Sequence, residues 1–166
     1  MESNGGFLRP NNVIPLQPDR SLQQHLSAPM DIISREQRSK VMAAIRSRNT
    51  RPEMRVRKLV FSLGYRFRLH VNKLPGSPDL VFPSRRKVIF VNGCFWHQHH
   101  CRLGKKMPKS RRTYWKPKLE RNRLRDSRSR KSLRKLGWRV LTIWECQTSE
   151  KKLSNLAPKI SSFLGQ

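Results

Sequence analysis

The sequence predicts a mixed α/β protein in which helices flank one small sheet. Three observations carry that expectation. Lys87–Val91 and Trp138–Trp144 are runs of apolar, β-branched and aromatic residues with the length of buried strands. A shorter run, Asp79–Phe82, precedes the first of them across one tight turn. Segments with helical periodicity and capping signals surround these runs. With Tyr65–Val71 counted as a strand, the order is α-α-β-β-β-α-β-α. A chain of 166 residues suffices for one domain with a real core and is short for two.

Taken in order, residues 1–29 are rich in Asn, Gln, Pro and Gly without periodicity, which predicts a disordered tail before a folded domain at residues 30–166. Met30 is a candidate alternative start, and the tail lacks the Arg-rich amphipathic character of a transit peptide. Ser34 caps the first helix with Gln37 three residues on, and Val41, Met42 and Ile45 form its apolar stripe. Thr50 caps the second, with Pro52 in the first turn. Its buried face is Met54, Val56, Leu59, Val60 and Leu63, and Gly64 stops it. Tyr65–Val71 alternates apolar with basic residues, the period of a half-buried strand. Leu74–Pro78 turns the chain into Asp79–Phe82, residues 83–86 turn again, and Asn92-Gly93 breaks the strand Lys87–Val91. Residues 102–117 read as a basic loop and Lys118–Leu136 as a long helix ended by Gly137. Trp138–Trp144 is the last strand and Leu153–Leu164 the terminal helix.

Charge narrows the class of partner. Against 37 Lys and Arg stand only 10 Asp and Glu, a formal charge of +27. A long polyanion is the natural counterpart, because each neutralised phosphate releases counterions. Nucleic acid is favoured, although ribosomal RNA and anionic membrane surfaces satisfy the same charge. No apolar run reaches membrane-spanning length and no secretory signal opens the chain. Three cysteines, an odd number, speak against a disulfide framework and for a reduced, cytoplasmic compartment.

Chemistry concentrates directly after Asn92-Gly93. Cys94, His97, His99, His100 and Cys101 offer more ligands than one zinc takes. Should the last strand lie beside Lys87–Val91, Cys146 joins them. Three thiolates and one imidazole then give the closed tetrahedral pattern of a structural site. His99 is the expected imidazole and His100 its competitor; the alternative is a free buried cysteine among solvated histidines. Asp79 opens a strand near this loop and is a candidate divalent-cation ligand or an ordinary turn cap. Asp126 lies seven residues from both Leu119 and Leu133 and so faces inward with them. Its partner is either His97, which would make that histidine an oriented general base, or Arg123 or Arg130. Glu53 sits in a first helical turn, where the helix dipole alone accounts for it. Phe95 and Trp96 are too large and apolar for a polar loop without a partner, in the core or in a ligand.

Together SREQRSKVMAAIRSRNTRPE, LPGSPDLVF, VIFVNGCFWHQHHC, the K-x-x-x-N-x-x-R-D of Lys118–Asp126 and LGWRVLTIWEC closely resemble the very-short-patch repair endonucleases, from about Met30 to Leu164. The resemblance implies a restriction-endonuclease-like core with a structural zinc on Cys94, His99, Cys101 and Cys146. It implies a DNA endonuclease that nicks 5′ of the thymine in a G·T mismatch left by deaminated 5-methylcytosine. By the same resemblance Asp79 and the main-chain carbonyl of Val91 hold catalytic magnesium, with Glu53 assisting through water. His97 and Asp126 activate the attacking water, Met42, Phe95 and Trp96 wedge into the DNA stack, and Asn122 contacts DNA. Expected circumstances are a monomer at the bacterial nucleoid, acting beside mismatch-repair accessory proteins. Two departures stand out. Val91 occupies the place where this core usually carries a second acid, and Asn92 stands where well-known members have a histidine that assists the leaving group. Other readings of the same residues are a restriction-like endonuclease indifferent to mismatches and a non-enzymatic, zinc-stabilised DNA-binding module.

Overall fold

The computed structural model describes Ser34, Glu36, Gln37, residues 48–69 and residues 71–165. The expectations for the tail, for the apolar stripe of the first helix and for Met42 lie outside these residues. The cap of that first helix is described: Ser34 N–H donates to Gln37 Oε1 at 3.0 Å and Gln37 N–H to Ser34 Oγ at 3.1 Å, the reciprocal pair of a capping box.

Helix α1 spans Arg51–Ser62. Thr50 is its N-cap, with Oγ1 accepting from the Glu53 N–H, and Pro52 occupies the first turn, where a missing N–H costs nothing. Gly64, at φ +86°, ends it. The bonds from Gly64 N–H to the Phe61 carbonyl and from Tyr65 N–H to the Val60 carbonyl form a Schellman motif. The inward face differs in part from expectation. Val56 and Val60 are buried, but Met54 is 40 % exposed, and Glu53 and Arg57 take the inside positions as an ion pair.

Strands β1 (Leu80–Phe82), β2 (Lys87–Asn92) and β3 (Arg139–Trp144) form one sheet in that order. β1 and β2 are antiparallel, joined through a short 3-10 turn that ends on Arg86 in the left-handed region. β2 and β3 are parallel, from Lys87 opposite Arg139 to Asn92 opposite Trp144. Among its described residues, the stretch Tyr65–Val71, expected as a strand, contributes a single antiparallel bridge, between Arg68 and Val81. β1 is the reason. It is three residues long, and only its middle residue turns its N–H and C=O away from β2, so a fourth strand finds one partner.

A parallel pair requires a crossover, which here is helix α2, Arg112–Lys135. α2 begins earlier than expected and absorbs the end of the predicted basic loop, with Pro117 inside it. Its 24 residues make a rod about 36 Å long. Gly137, at φ +78°, closes it with a second Schellman pair. Helix α3, Leu153–Gly165, buries Leu156, Ile160 and Leu164. Arg85 and Lys87 both donate to the Leu164 carbonyl, at 3.0 and 3.2 Å.

Alternation along β2 splits the core between two faces. Ile89 and Val91 join Val56, Val60, Ile143, Ile160 and their neighbours from α1 and α3. Val88 and Phe90 pack with Leu133 of α2 and with Trp138 on the other side. Three layers result, helices on both sides of a small mixed sheet, as the sequence implied. Ile89→Ala should lower stability by roughly 2–5 kcal/mol, whereas Leu124→Ala, at a half-exposed position, should stay within about 0.5 kcal/mol. Denaturant midpoints of the two variants check this.

Candidate functional site

The parallel register brings the cysteines together. Asn92 faces Trp144, so Cys94 and Cys146 each lie two residues past a paired position. The Cys94 N–H donates to Glu145 Oε2 at 3.0 Å and the Cys146 N–H to Cys94 Sγ at 3.4 Å. The loop then curls back on itself. His99 N–H donates to the Cys94 carbonyl, His97 N–H to that of Gly93, and Gln98 takes a left-handed φ of 48°. His99 Nδ1 thereby lies 3.8 Å from Cys94 Sγ and 3.5 Å from Cys146 Sγ. The donor atoms of Cys94, His99, Cys101 and Cys146 all fall within 4.8 Å of one another, a group that could hold a metal ion. His100, the competing imidazole, is exposed and outside the group.

The neighbours fix this arrangement. The His99 ring stacks on Trp144 at 4.3 Å and 23°. Gly104 tolerates no side chain, since a Cβ there would lie 2.0 Å from the His99 carbonyl oxygen. Burial pushes the Cys94 thiol up to about 12 and raises that of Cys146. Cys101 moves the other way, to about 6, through the Gly104 N–H and the His99 side chain. A buried and a half-buried thiol that resist ionisation, packed against one that does not, suit a cation that compensates thiolate charge.

A second centre forms at the other edge of β2. Asp79, just before β1, accepts a 2.7 Å hydrogen bond from the Val91 N–H through Oδ2. In an extended strand the N–H and C=O of one residue point to the same side, so the Val91 carbonyl lies on the edge that faces Asp79. Burial, opposed by the Val91 N–H and reinforced by Glu53, raises the Asp79 carboxyl to about 6. Glu53 itself is buried and held on both oxygens. Oε1 accepts from Thr50 Oγ1 at 2.8 Å; Oε2 accepts from the Asn49 N–H at 2.9 Å and from Arg57 Nη2 at 3.0 Å. Asn49 closes the ring, taking a 2.6 Å bond from Arg57 Nη1 on its side-chain oxygen. The helix dipole alone therefore does not account for Glu53. Two carboxylates beside a main-chain carbonyl suit a hard divalent cation.

His97, in the loop after β2, is hydrogen-bonded through Nδ1 to Asp126 Oδ2 and is close enough to Asp79 to act on its charge. The inward carboxylate on α2 meets imidazole and not Arg123 or Arg130. Asn92, at the end of β2, is buried.

Phe95 and Trp96 neither enter the core nor stand alone. They meet edge to face at 5.1 Å, and Trp115 of α2 contacts both, at 5.6 and 5.9 Å. Asn122 Nδ2 donates to the Trp96 carbonyl at 3.2 Å. Trp115, Tyr114 and Glu145 are site neighbours that sequence reasoning did not single out. The available signal was the Tyr114-Trp115 pair, two aromatics inside a basic stretch. Along the same face of α2, Lys118, Arg121, Asn122, Arg125 and Arg128 line a shallow cleft of about 590 Å³.

The model of the family described as DNA mismatch endonuclease Vsr matches residues 30–103. The type II nicking enzyme V.XorIIP of Xanthomonas oryzae pv. oryzae is 57 % identical over 120 residues, covering 72 % of this chain and 88 % of that protein. The DNA mismatch endonuclease Vsr of Escherichia coli is 46 % identical over 116 residues, 70 % of this chain and 74 % of the relative. The type II nicking enzyme V.NaeI of Lentzea aerocolonigenes is 42 % identical over 113 residues, 65 % of this chain and 67 % of the relative. With that identity spread over most of each relative, the chain belongs to the Vsr family of DNA endonucleases.

Proposed function

We propose that the protein nicks one strand of duplex DNA on the 5′ side of the thymine in a G·T mismatch, with magnesium as catalytic ion and zinc as structural ion. The observation that carries the reading is the convergence of Asp79, Glu53 and the His97–Asp126 pair around the end of β2, beside an aromatic cluster. The relatives' names support its two halves, mismatch endonuclease and nicking enzyme. Three sulfurs and one nitrogen suit zinc, which supplies a structural tie between the loop and the end of β3. Oxygen donors from Asp79 and Val91 suit magnesium, which supplies charge stabilisation at the scissile phosphate.

The chain's own residues divide the remaining work. Asp126 holds His97 through Nδ1, which leaves Nε2 as the basic nitrogen that takes a proton from the attacking water. The resulting imidazolium faces a carboxylate that stabilises it. Glu53, clamped on both oxygens, keeps a second negative charge near Asp79. The Asn92 amide can donate a hydrogen bond to the departing oxygen but carries no titratable proton. Phe95 and Trp96, together with Met42, wedge into the stack at the mismatch, where unstacking is cheapest. Asn122 contacts DNA, and Arg121, Arg125 and Arg128 hold phosphates along the cleft.

The deciding experiment compares duplexes identical except for G·T against G·C, with products resolved on denaturing gels. A nick confined to the thymine strand of G·T is the expected result; equal cutting of both duplexes would leave a restriction-like nuclease. Asp79→Ala should abolish nicking beyond rescue by excess magnesium. His97→Ala should slow it by roughly a hundredfold or more while DNA affinity holds. Cys146→Ala should lose zinc by elemental analysis and lose the fold with it.

The Asp79 carboxyl also predicts a pH dependence. Its folded value of about 6 lies above the ordinary 3.8, so the native state binds this proton more tightly than the unfolded chain does. Its contribution is therefore most favourable below 3.8 and is lost as pH rises to about 6. Without added magnesium, Asp79→Asn should raise the melting temperature at pH 7.5, and the gain should vanish near pH 4. Calorimetric scans at both pH values check the sign.

A further inference from the structure

Arg57 is a costly residue to place where it stands. It takes an inward position of α1, one turn after Glu53 and among the buried Val56 and Val60, and is only 8 % exposed. Its guanidinium fork spans two partners, Glu53 Oε2 at 3.0 Å and the Asn49 side-chain oxygen at 2.6 Å. The Nε is buried as well and has no hydrogen-bond partner among the described residues. An unpaired buried N–H disfavours folding, and a buried ion pair can often be replaced by apolar residues without loss. Stability therefore does not explain Arg57.

Its effect falls on the neighbouring carboxylates. A carboxylate offers about four acceptor sites. On Glu53 the Thr50 hydroxyl takes one, and the Asn49 N–H and Arg57 Nη2 share Oε2, so among the described residues only Oε1 keeps a site open. Glu53 and Arg57 both lie close enough to Asp79 to act on its charge, in opposite senses. Two adjacent carboxylates without such a cation would both turn to a divalent ion.

We infer that Arg57 is a positioning residue for the metal centre: clamped to Glu53 and Asn49, its guanidinium keeps the Glu53 carboxylate from ligating magnesium directly. The inference rests on the magnesium reading given above and adds the group that divides the work between its two acids. Asp79, with a single N–H partner among the described residues, is left to meet the cation, and Glu53 reaches it through water. A fixed positive charge beside the site also weakens its hold on a further cation. Arg57 thus lowers metal affinity while it fixes the arrangement. Loss of a residue that served only the fold would instead loosen the site and weaken cation binding.

Arg57→Met and Arg57→Lys, in the full chain, separate these roles. Calorimetric titration of magnesium into each protein at pH 8, without DNA, reads affinity for the cation. Arg57→Met, with its far-ultraviolet circular dichroism intact, should bind magnesium roughly tenfold tighter, since a neighbouring unit charge has gone and Glu53 is free to turn. At saturating magnesium its kcat, on whichever duplex the wild type nicks, should fall roughly tenfold or more with KM for DNA held. Arg57→Lys keeps the charge but not the fork, and should lie between Arg57→Met and the wild type in both readouts. Should Arg57→Met not fold, Asn49→Gly carries the same readouts with smaller changes in the same direction. Glycine accepts the left-handed φ of 55° at that position, and only the second anchor of the fork is lost. A folded variant that binds magnesium no more tightly than the wild type overturns the inference, and so does tighter binding with undiminished kcat. Both outcomes leave the magnesium reading standing. A wild type whose nicking and calorimetry ignore magnesium overturns that reading, and this inference with it.

Discussion

Most of the site depends on one pairing, the parallel register of β2 with β3. Asn92 opposite Trp144 sets Cys94 beside Cys146 and puts Trp144 under the His99 ring. It also sets Glu145 where it caps the Cys94 N–H. A slip of one residue would turn either Val91 or Ile143 out of the main core and separate the two cysteines. The loop between them, which carries His97 and the aromatic pair, would then have no anchor at its origin. Packing of the sheet and geometry of the site are thus fixed by the same hydrogen-bonded ladder.

Around that ladder the protein stores charge in places that do not favour folding. Asp79 is pushed towards its neutral form by burial, and Glu53 lies inside α1 where an apolar residue would be expected. The buried partner Arg57 and the ring through Asn49 compensate Glu53, and removing one partner of such a pair costs more than the pair contributes. Among the described residues, Asp79 has only the Val91 N–H as a hydrogen-bond donor. Groups that weaken the fold and serve the chemistry are common at working sites.

The sequence anticipated the Cys/His group and the inward face of α2 better than the edges of the fold. Cys94, His99, Cys101 and Cys146 were legible because thiols and imidazoles are scarce and their spacing constrains which can meet. The inward position of Asp126 followed from helical phase, since it lies midway between the buried Leu119 and Leu133, but phase left its partner open between His97 and two arginines. Tyr65–Val71 misled, because its alternation reports which side chains pack, as Tyr65 and Phe67 do, and not whether a neighbouring strand has bonds to offer. Met54 misled in the opposite sense, displaced from the inward face by a buried ion pair that hydropathy cannot foresee. Trp115 was hidden inside a stretch read as loop, and only the early start of α2 brings it to Phe95 and Trp96.

The order of the ligands along the chain has a consequence for biosynthesis. Cys94, His99 and Cys101 leave the ribosome well before Cys146, which follows Cys101 by 45 residues. β2 acquires its parallel partner only when β3 emerges, and α3, whose last carbonyl is clasped by Arg85 and Lys87, follows later still. A nascent chain can hold an incomplete ligand set and a two-stranded sheet with β1, but not the finished centre. A chain so arranged completes its Cys/His cluster only once β3 has emerged, and a fragment that ends before Cys146 lacks one of the four groups.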